Sequence, residues 1–150
     1  MRIIAVFIAG LLLSVVLAGA PVSAYNGIQL SYASVGNFTL VDQNNSEYKL
    51  SDATEEIVII SFFFTRCPDV CPVITQNLKL VHDTLPEELE DNVGFVAVTL
   101  DPKYDTPEVL TEYMARHGVD WPHLTGPTED VKDVWSRFAI YAEEYVIDAH

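Results

Sequence analysis

Two cysteines are the residues in this chain best suited to chemistry. Cys67 and Cys71 are the only cysteines among its 150 residues, stand four positions apart and are each followed by proline. On a helix this spacing puts the Cα atoms about 6 Å apart, which a disulfide tolerates. Two thiolates can equally converge on one soft metal ion, because sulfur selects Cu(I), zinc and iron–sulfur clusters. A helix amino terminus and Arg66 would favour the thiolate form, whereas Asp69 opposes it. The pattern indicates a structural disulfide, buried thiols, or a metal or redox site.

An apolar run leads directly into this pair. Residues Ile57 to Phe64 are rich in β-branched and aromatic side chains and have the length of one strand, which predicts a strand buried on both faces. Sheets covered by helices place their chemistry beyond the carboxyl ends of their strands, where the cysteines stand. Because proline suits the first position of a helix, Cys67 to Cys71 is predicted as a tight loop and the helix is expected to begin near Pro72.

The rest of the chain alternates strands and helices. Val73, Leu80 and Val81 are expected to form the apolar face of the first helix, and Asp105-Thr106-Pro107 is typical of a helix start. The predicted order is a strand at 37–42 with Phe38 and Leu40 on one face, a hairpin to residue 50, the cysteine strand, a helix at 72–85, a strand at 92–100, a helix at about 106–117, a short strand at 121–124, a helix from 128 or 129, and the approach to a further strand from 139. This order predicts an α/β fold with a mostly parallel sheet flanked by helices.

The first 24 residues resemble a targeting segment. They have a positive start, an apolar core and a small-residue cleavage pattern at Val22-Ser23-Ala24. Alternatively they stay attached as a membrane anchor, since about 18 uncharged residues are near the length that spans a bilayer. Residues 25–36 are predicted as a linker and 37–150 as the domain. In either case we expect the domain to lie outside the cytoplasm, with membrane contact only through the amino-terminal segment.

The charge balance excludes one class of partner. With 8 basic and 22 acidic residues the formal net charge is −14. No basic stripe is available to neutralise phosphates, so nucleic acid is not an expected partner.

Two long motifs resemble the Sco/SenC family of copper proteins. Residues 62–72, FFFTRCPDVCP, resemble the family signature, and residues 98–110, VTLDPKYDTPEVL, resemble its second block. A weaker third block is similar to Leu124-Thr125-Gly126 and the helix after it. This resemblance implies a thioredoxin-like three-layer sandwich. It also implies a copper ion, as Cu(I) or Cu(II), held by Cys67, Cys71 and one later histidine.

The third ligand is where the sequence departs from the family pattern. The family histidine commonly follows a tyrosine by four positions, whereas His150 follows Tyr145 by five. A shift of one residue turns a side chain to the opposite face of an extended strand. Either a local bulge restores the direction of His150, or the ligand lies beyond it. The family's last strands and helix are also not found in this sequence, so the domain is expected to be incomplete at its carboxyl end.

Two functions follow from the resemblance. One is a copper chaperone that delivers or prepares copper for the copper-bearing subunit of cytochrome c oxidase. The other is a thiol–disulfide oxidoreductase in which Cys67 and Cys71 cycle between dithiol and disulfide; a thioredoxin-like reductant would serve either. Among the remaining residues, His82 and His117 are expected to be structural, and His123 is a minor candidate ligand. Asp101 is expected to cap the turn at Pro102 or to contact the site.

Overall fold

The computed structural model describes residues 35–142, which form one five-stranded sheet with helices on both faces. The predicted targeting segment, most of the linker and His150 lie outside the described residues. The elements are β1 (Thr39–Asp42), β2 (Glu47–Lys49), a 3-10 turn (Leu50–Asp52), β3 (Ile57–Phe63), α1 (Val70–Asp83), α2 (Glu87–Glu90), β4 (Val93–Thr99), α3 (Pro107–His117), β5 (His123–Thr125) and α4 (Thr128–Arg137).

The strand order across the sheet is β2-β1-β5-β4-β3. β4 pairs in parallel with both β3 and β5, while β1 pairs antiparallel with β5 and β2. Side chains alternate along β4, so that Phe95 and Ala97 enter the core beneath α1 and α3, whereas Val96 and Val98 enter the core beneath α4. The predicted α/β architecture is therefore observed: β5, β4 and β3 run parallel on one side of the sheet, and the antiparallel hairpin of β1 and β2 completes the other side.

Local sequence determines the ends of α3 as expected. The Thr106 hydroxyl accepts a hydrogen bond from the Val109 N–H at 3.4 Å, and Pro107 occupies the first turn. At the other end Gly118 adopts a left-handed conformation, with φ of 66°, and its N–H bonds the Met114 carbonyl. α3 consequently begins and ends where the capping pattern predicted.

The cysteine strand and its helix differ from expectation. β3 is only partly buried: Phe63 is its one buried residue and Ile57 is 56% exposed. Among residues 35–142 β3 pairs only with β4, so it also forms an edge of the sheet. α1 begins at Val70 rather than near Pro72, so Cys71 lies inside its first turn. The expected apolar face of α1 is also largely open, with Leu80 64% exposed. Periodicity identified the apolar residues correctly, but it carried no information on whether another element covers them.

Within residues 35–142 no helix combines the length and the hydropathy that are needed to cross a membrane.

Candidate metal centre

β3 and α1 bring the two cysteines together. Cys67 follows the carboxyl end of β3, and Cys71 occupies the first turn of α1. Both are free thiols and both are buried, at 8% and 5% exposure. The Cys71 N–H donates to Cys67 Sγ over 3.4 Å, so the start of the helix closes onto the first sulfur. The pair predicted from spacing is thus a dithiol at the carboxyl end of a parallel strand.

The first thiol is the more acidic of the two. Burial alone would raise the pKa of Cys67, but hydrogen bonds from the Asp69 and Cys71 amides, the Cys71 thiol and the Val70 amide outweigh it, and the pKa is lowered. These amides belong to the start of α1, whose N–H groups have no partner within the helix and stabilise an anion. Cys67 is therefore the sulfur prepared to react or to bind as thiolate.

The second thiol is held in its protonated form. Burial raises the pKa of Cys71 to about 12, even though a hydrogen bond with the Phe64 backbone acts in the opposite direction. Cys67 and the carboxylate of Asp105 add to the rise, because a second negative charge beside them is unfavourable. Without a cation, the site favours one thiolate and one thiol over two thiolates.

The segment between β4 and α3 contacts the residues just before Cys67. Arg66 Nη2 donates to Asp101 Oδ2 at 2.7 Å, and the guanidinium lies 4.4 Å from the centre of the Tyr104 ring. The Asp101 carbonyl meanwhile accepts hydrogen bonds from the amides of Tyr104 and Asp105. Asp101 thus closes the turn after β4, as expected, and its carboxylate holds Arg66, the residue immediately before Cys67.

Asp105 is the residue near this site that sequence analysis missed. The pattern placed it only at the start of a helix, yet it is fully buried and its carboxylate joins two strand ends. It accepts from the Thr65 hydroxyl at 2.5 Å, the Thr65 N–H at 3.2 Å and the Thr99 hydroxyl at 2.5 Å. Burial raises the pKa of Asp105, against the lowering effect of these hydrogen bonds. The sequence signal that could have indicated this role is the pair of threonines at the carboxyl ends of β3 and β4, whose hydroxyls can donate to a buried carboxylate.

The histidines inside the described region have packing roles. His123 is 1% exposed, its Nδ1–H donates to the Trp121 carbonyl at 2.9 Å, and burial lowers its pKa to about 4. His82 packs against Phe95, and His117 packs against Tyr113 at 4.3 Å between ring centres.

No group of three or more His, Cys, Asp and Glu side chains within residues 35–142 is arranged to hold a metal ion. The structure therefore leaves the predictions for His82 and His117 in place and puts His123 in the aromatic core, while His150 lies outside the described residues.

The fold and the dithiol together define the class of protein: a thioredoxin-like domain with one cysteine just after the first long parallel strand and the other in the first turn of the following helix. The family model described as SCO1/SenC matches residues 27–149. The chain belongs to the SCO1/SenC family.

Individual relatives agree with this assignment. An SCO2-like protein of Rickettsia prowazekii is 35% identical over 71% of this chain and 51% of its own length. Among solved structures, copper-bound yeast Sco1 has a TM-score of 0.65 and 31% identity, covering 71% of this chain and 59% of that one. Apo Sco1 of Thermus thermophilus has a TM-score of 0.66 and 30% identity, covering 77% and 66%. The chain spans about half the length of the curated relatives it matches.

Proposed function

We propose that this protein binds copper through Cys67 and Cys71 and acts as a copper chaperone for the dinuclear copper centre of cytochrome c oxidase. The observation that carries the proposal is the buried dithiol, in which the pKa of Cys67 is lowered and the pKa of Cys71 is raised to about 12. Family membership supports it, since a relative of known structure, yeast Sco1, is described with copper bound.

The chemistry of the donors fits copper. Two soft thiolates suit Cu(I), and an added imidazole allows Cu(II) to be accommodated as well. We propose His150 as the source of that imidazole. Metal binding replaces the Cys71 proton, so the positive charge of the ion offsets the cost of a second buried thiolate. The loop lies beyond a strand end, and both sulfurs are buried there, so transfer of copper to an acceptor requires the loop to move.

The cellular setting follows from the amino-terminal segment. We propose that residues 1–24 export or anchor the protein, so that the domain works outside the cytoplasm. Cysteine pairs tend to oxidise there. A thioredoxin-like reductant is therefore proposed as a second partner, besides the copper-bearing oxidase subunit.

A Cu(I) competition with a chelator, using the full reduced chain, tests the proposal. We expect one copper per chain, with affinity falling more than about 100-fold in Cys67→Ala and in Cys71→Ala, since each loses a ligand. His150→Ala should weaken binding less, and His117→Asn, which alters a histidine packed against Tyr113, should match the wild type. If the reduced chain leaves all Cu(I) on the chelator, the chaperone proposal is wrong.

The unlike acidities of the thiols favour a second function, a thiol–disulfide oxidoreductase. A thiol with a lowered pKa suits the attacking role and a buried partner suits the resolving role. An assay that measures reduction of a small disulfide substrate distinguishes the two functions. Fast turnover without copper supports the oxidoreductase, whereas a slow reaction together with tight Cu(I) binding supports the chaperone.

A further inference from the structure

Two side chains immediately before Cys67 are fixed by the same neighbouring segment. Thr65 reaches Asp105 through both its N–H and its hydroxyl, while Arg66 reaches Asp101. Both acceptors belong to the stretch between β4 and α3. The amino-terminal side of the metal-binding loop is therefore held by hydrogen bonds that cross from one strand end to the next.

Asp105 is the centre of this arrangement. Its side chain is fully buried, and the hydrogen bonds that reach it come from the uncharged donors of Thr65 and Thr99. Thr99 Oγ1 also accepts from the backbone N–H of Asp101 at 2.9 Å, so this hydroxyl links the Asp105 carboxylate to the main chain of the turn after β4. A buried carboxylate is costly unless hydrogen bonds satisfy it, and these donors satisfy it only while Thr65 and Thr99 stay adjacent.

We propose that Asp105 is a positioning residue for the metal-binding loop: by holding Thr65 against the end of β4, it sets the distance between Cys67 and Cys71. This inference rests on the proposed function, in which both sulfurs bind one ion.

The physical route from Asp105 to the sulfurs is short. Only Arg66 separates Thr65 from Cys67, and the Cys67 N–H is itself turned back onto the Phe64 carbonyl at 3.2 Å. Displacing Thr65 therefore moves Cys67 away from the amides of α1. An ion with two sulfur ligands needs both at bonding distance, so a looser loop lowers affinity without removing a ligand.

The test is Asp105→Asn, which keeps the shape of the side chain but replaces one accepting oxygen with a donor. Using the full reduced chain, we expect Cu(I) affinity by chelator competition to fall about tenfold, the lower end of what residues supporting metal ligands contribute. Amide hydrogen exchange of residues 64–71, measured without metal, should become several-fold faster.

Val134→Ala is the matched control. It opens a cavity in the core beneath α4 and lowers global stability without touching the loop. It should retain wild-type copper affinity and wild-type exchange at residues 64–71.

Thr65→Val and Thr65→Ser form a second pair, because valine removes the hydroxyl donor at similar size and serine retains it. Valine should reproduce the Asp105→Asn effect and serine should largely restore binding, which keeps the test decisive should Asp105→Asn not fold.

The outcomes distinguish failure of the proposed copper binding from failure of the positioning role of Asp105. If the wild-type chain binds no copper, the proposed function is wrong. Amide hydrogen exchange of residues 64–71, measured without metal, then tests by itself whether Asp105 positions the loop. Wild-type affinity in Asp105→Asn or in Thr65→Val overturns the positioning role. An equal loss of affinity in Val134→Ala also overturns it, since global stability would then account for the effect.

Discussion

The two faces of the sheet bury different kinds of side chain. The cysteine face, beneath α1 and α3, contains the two thiols, the buried Asp105 and His123, and a Thr75–Tyr113 hydrogen bond of 2.8 Å. The α4 face is built from apolar residues: Phe38, Leu40, Val96, Val98, Leu124, Val131, Val134 and Trp135. Both faces share β4, so the same strand lines a layer with thiols and other polar groups on one side and a mainly apolar layer on the other.

The two faces are held in position by different forces. On the α4 face, position follows from burial of apolar area, which is non-directional. On the cysteine face, Cys71 and Thr75 are the only residues of α1 that are buried. Because α1 buries so little apolar area, directional hydrogen bonds such as that from the Cys71 N–H to Cys67 Sγ position its amino end. We therefore expect the cysteine face to respond to pH and to polar substitutions, and the α4 face to respond to changes in volume.

The largest expected effect concerns His123. Its pKa in the folded state is about 4 against an ordinary value of 6.5, so the unfolded chain takes up its proton first. The contribution to stability is complete above pH 6.5 and is lost as pH falls towards 4, amounting to about 3 kcal/mol in the free energy of unfolding. His123→Phe keeps a ring beside Phe63 and should flatten this part of the profile relative to the wild type.

Urea unfolding at several pH values between 7 and 4 measures the profile. Asp105 acts in the opposite direction, because a raised carboxyl pKa makes the folded state bind the additional proton, but it is present in both proteins. Parallel profiles for wild type and His123→Phe would contradict the assignment of a buried neutral imidazole.

The next effect is the unequal reactivity of the thiols. At pH 8 more of Cys67 than of Cys71 is thiolate, although the less acidic thiol is the stronger nucleophile once ionised. Allowing for both factors, we expect iodoacetamide to modify Cys67 at least about 30-fold faster. Peptide mass spectrometry of partly alkylated, reduced, metal-free protein gives the ratio, and equal rates would remove the proposed asymmetry.

The smallest effect belongs to the α4 face. Val134→Ala should lower the free energy of unfolding by about 2 kcal/mol, as removal of buried methyl groups does. The loss relative to wild type should be the same at pH 7 and at pH 4, since no residue of its core cluster titrates between these two values. Urea unfolding at both pH values is the measurement; a loss that depends on pH would show that the two faces are coupled.

Much of the fold was predictable from local pattern. The alternation at Phe38 and Leu40, the apolar run of β4 and the capped ends of α3 each carry their own signal within a few residues. The cysteine pair was equally visible, because two sulfurs at this spacing are chemically unusual. Each of these features depends on neighbours in sequence.

The remainder depends on contacts between distant segments. Asp105 joins Thr65 across forty positions, and nothing local separates an acid that starts a helix from one that holds a loop. The same limit explains β3 and the exposed Leu80: the sequence indicates that they are apolar, but whether they are covered is decided by other parts of the chain.

The parallel register of β3 and β4 has a further consequence for protein engineering. Ile57 is opposite Val93 and Phe63 is opposite Thr99, and the Leu100 N–H continues the ladder to the Phe63 carbonyl at 2.6 Å. Inserting one residue into β3 would turn each later side chain of the strand to the opposite face of the sheet. Inserting an odd number of residues would therefore separate Thr65 from Asp105 even if the sheet still formed. Only an even number would preserve the orientation of the cysteine loop.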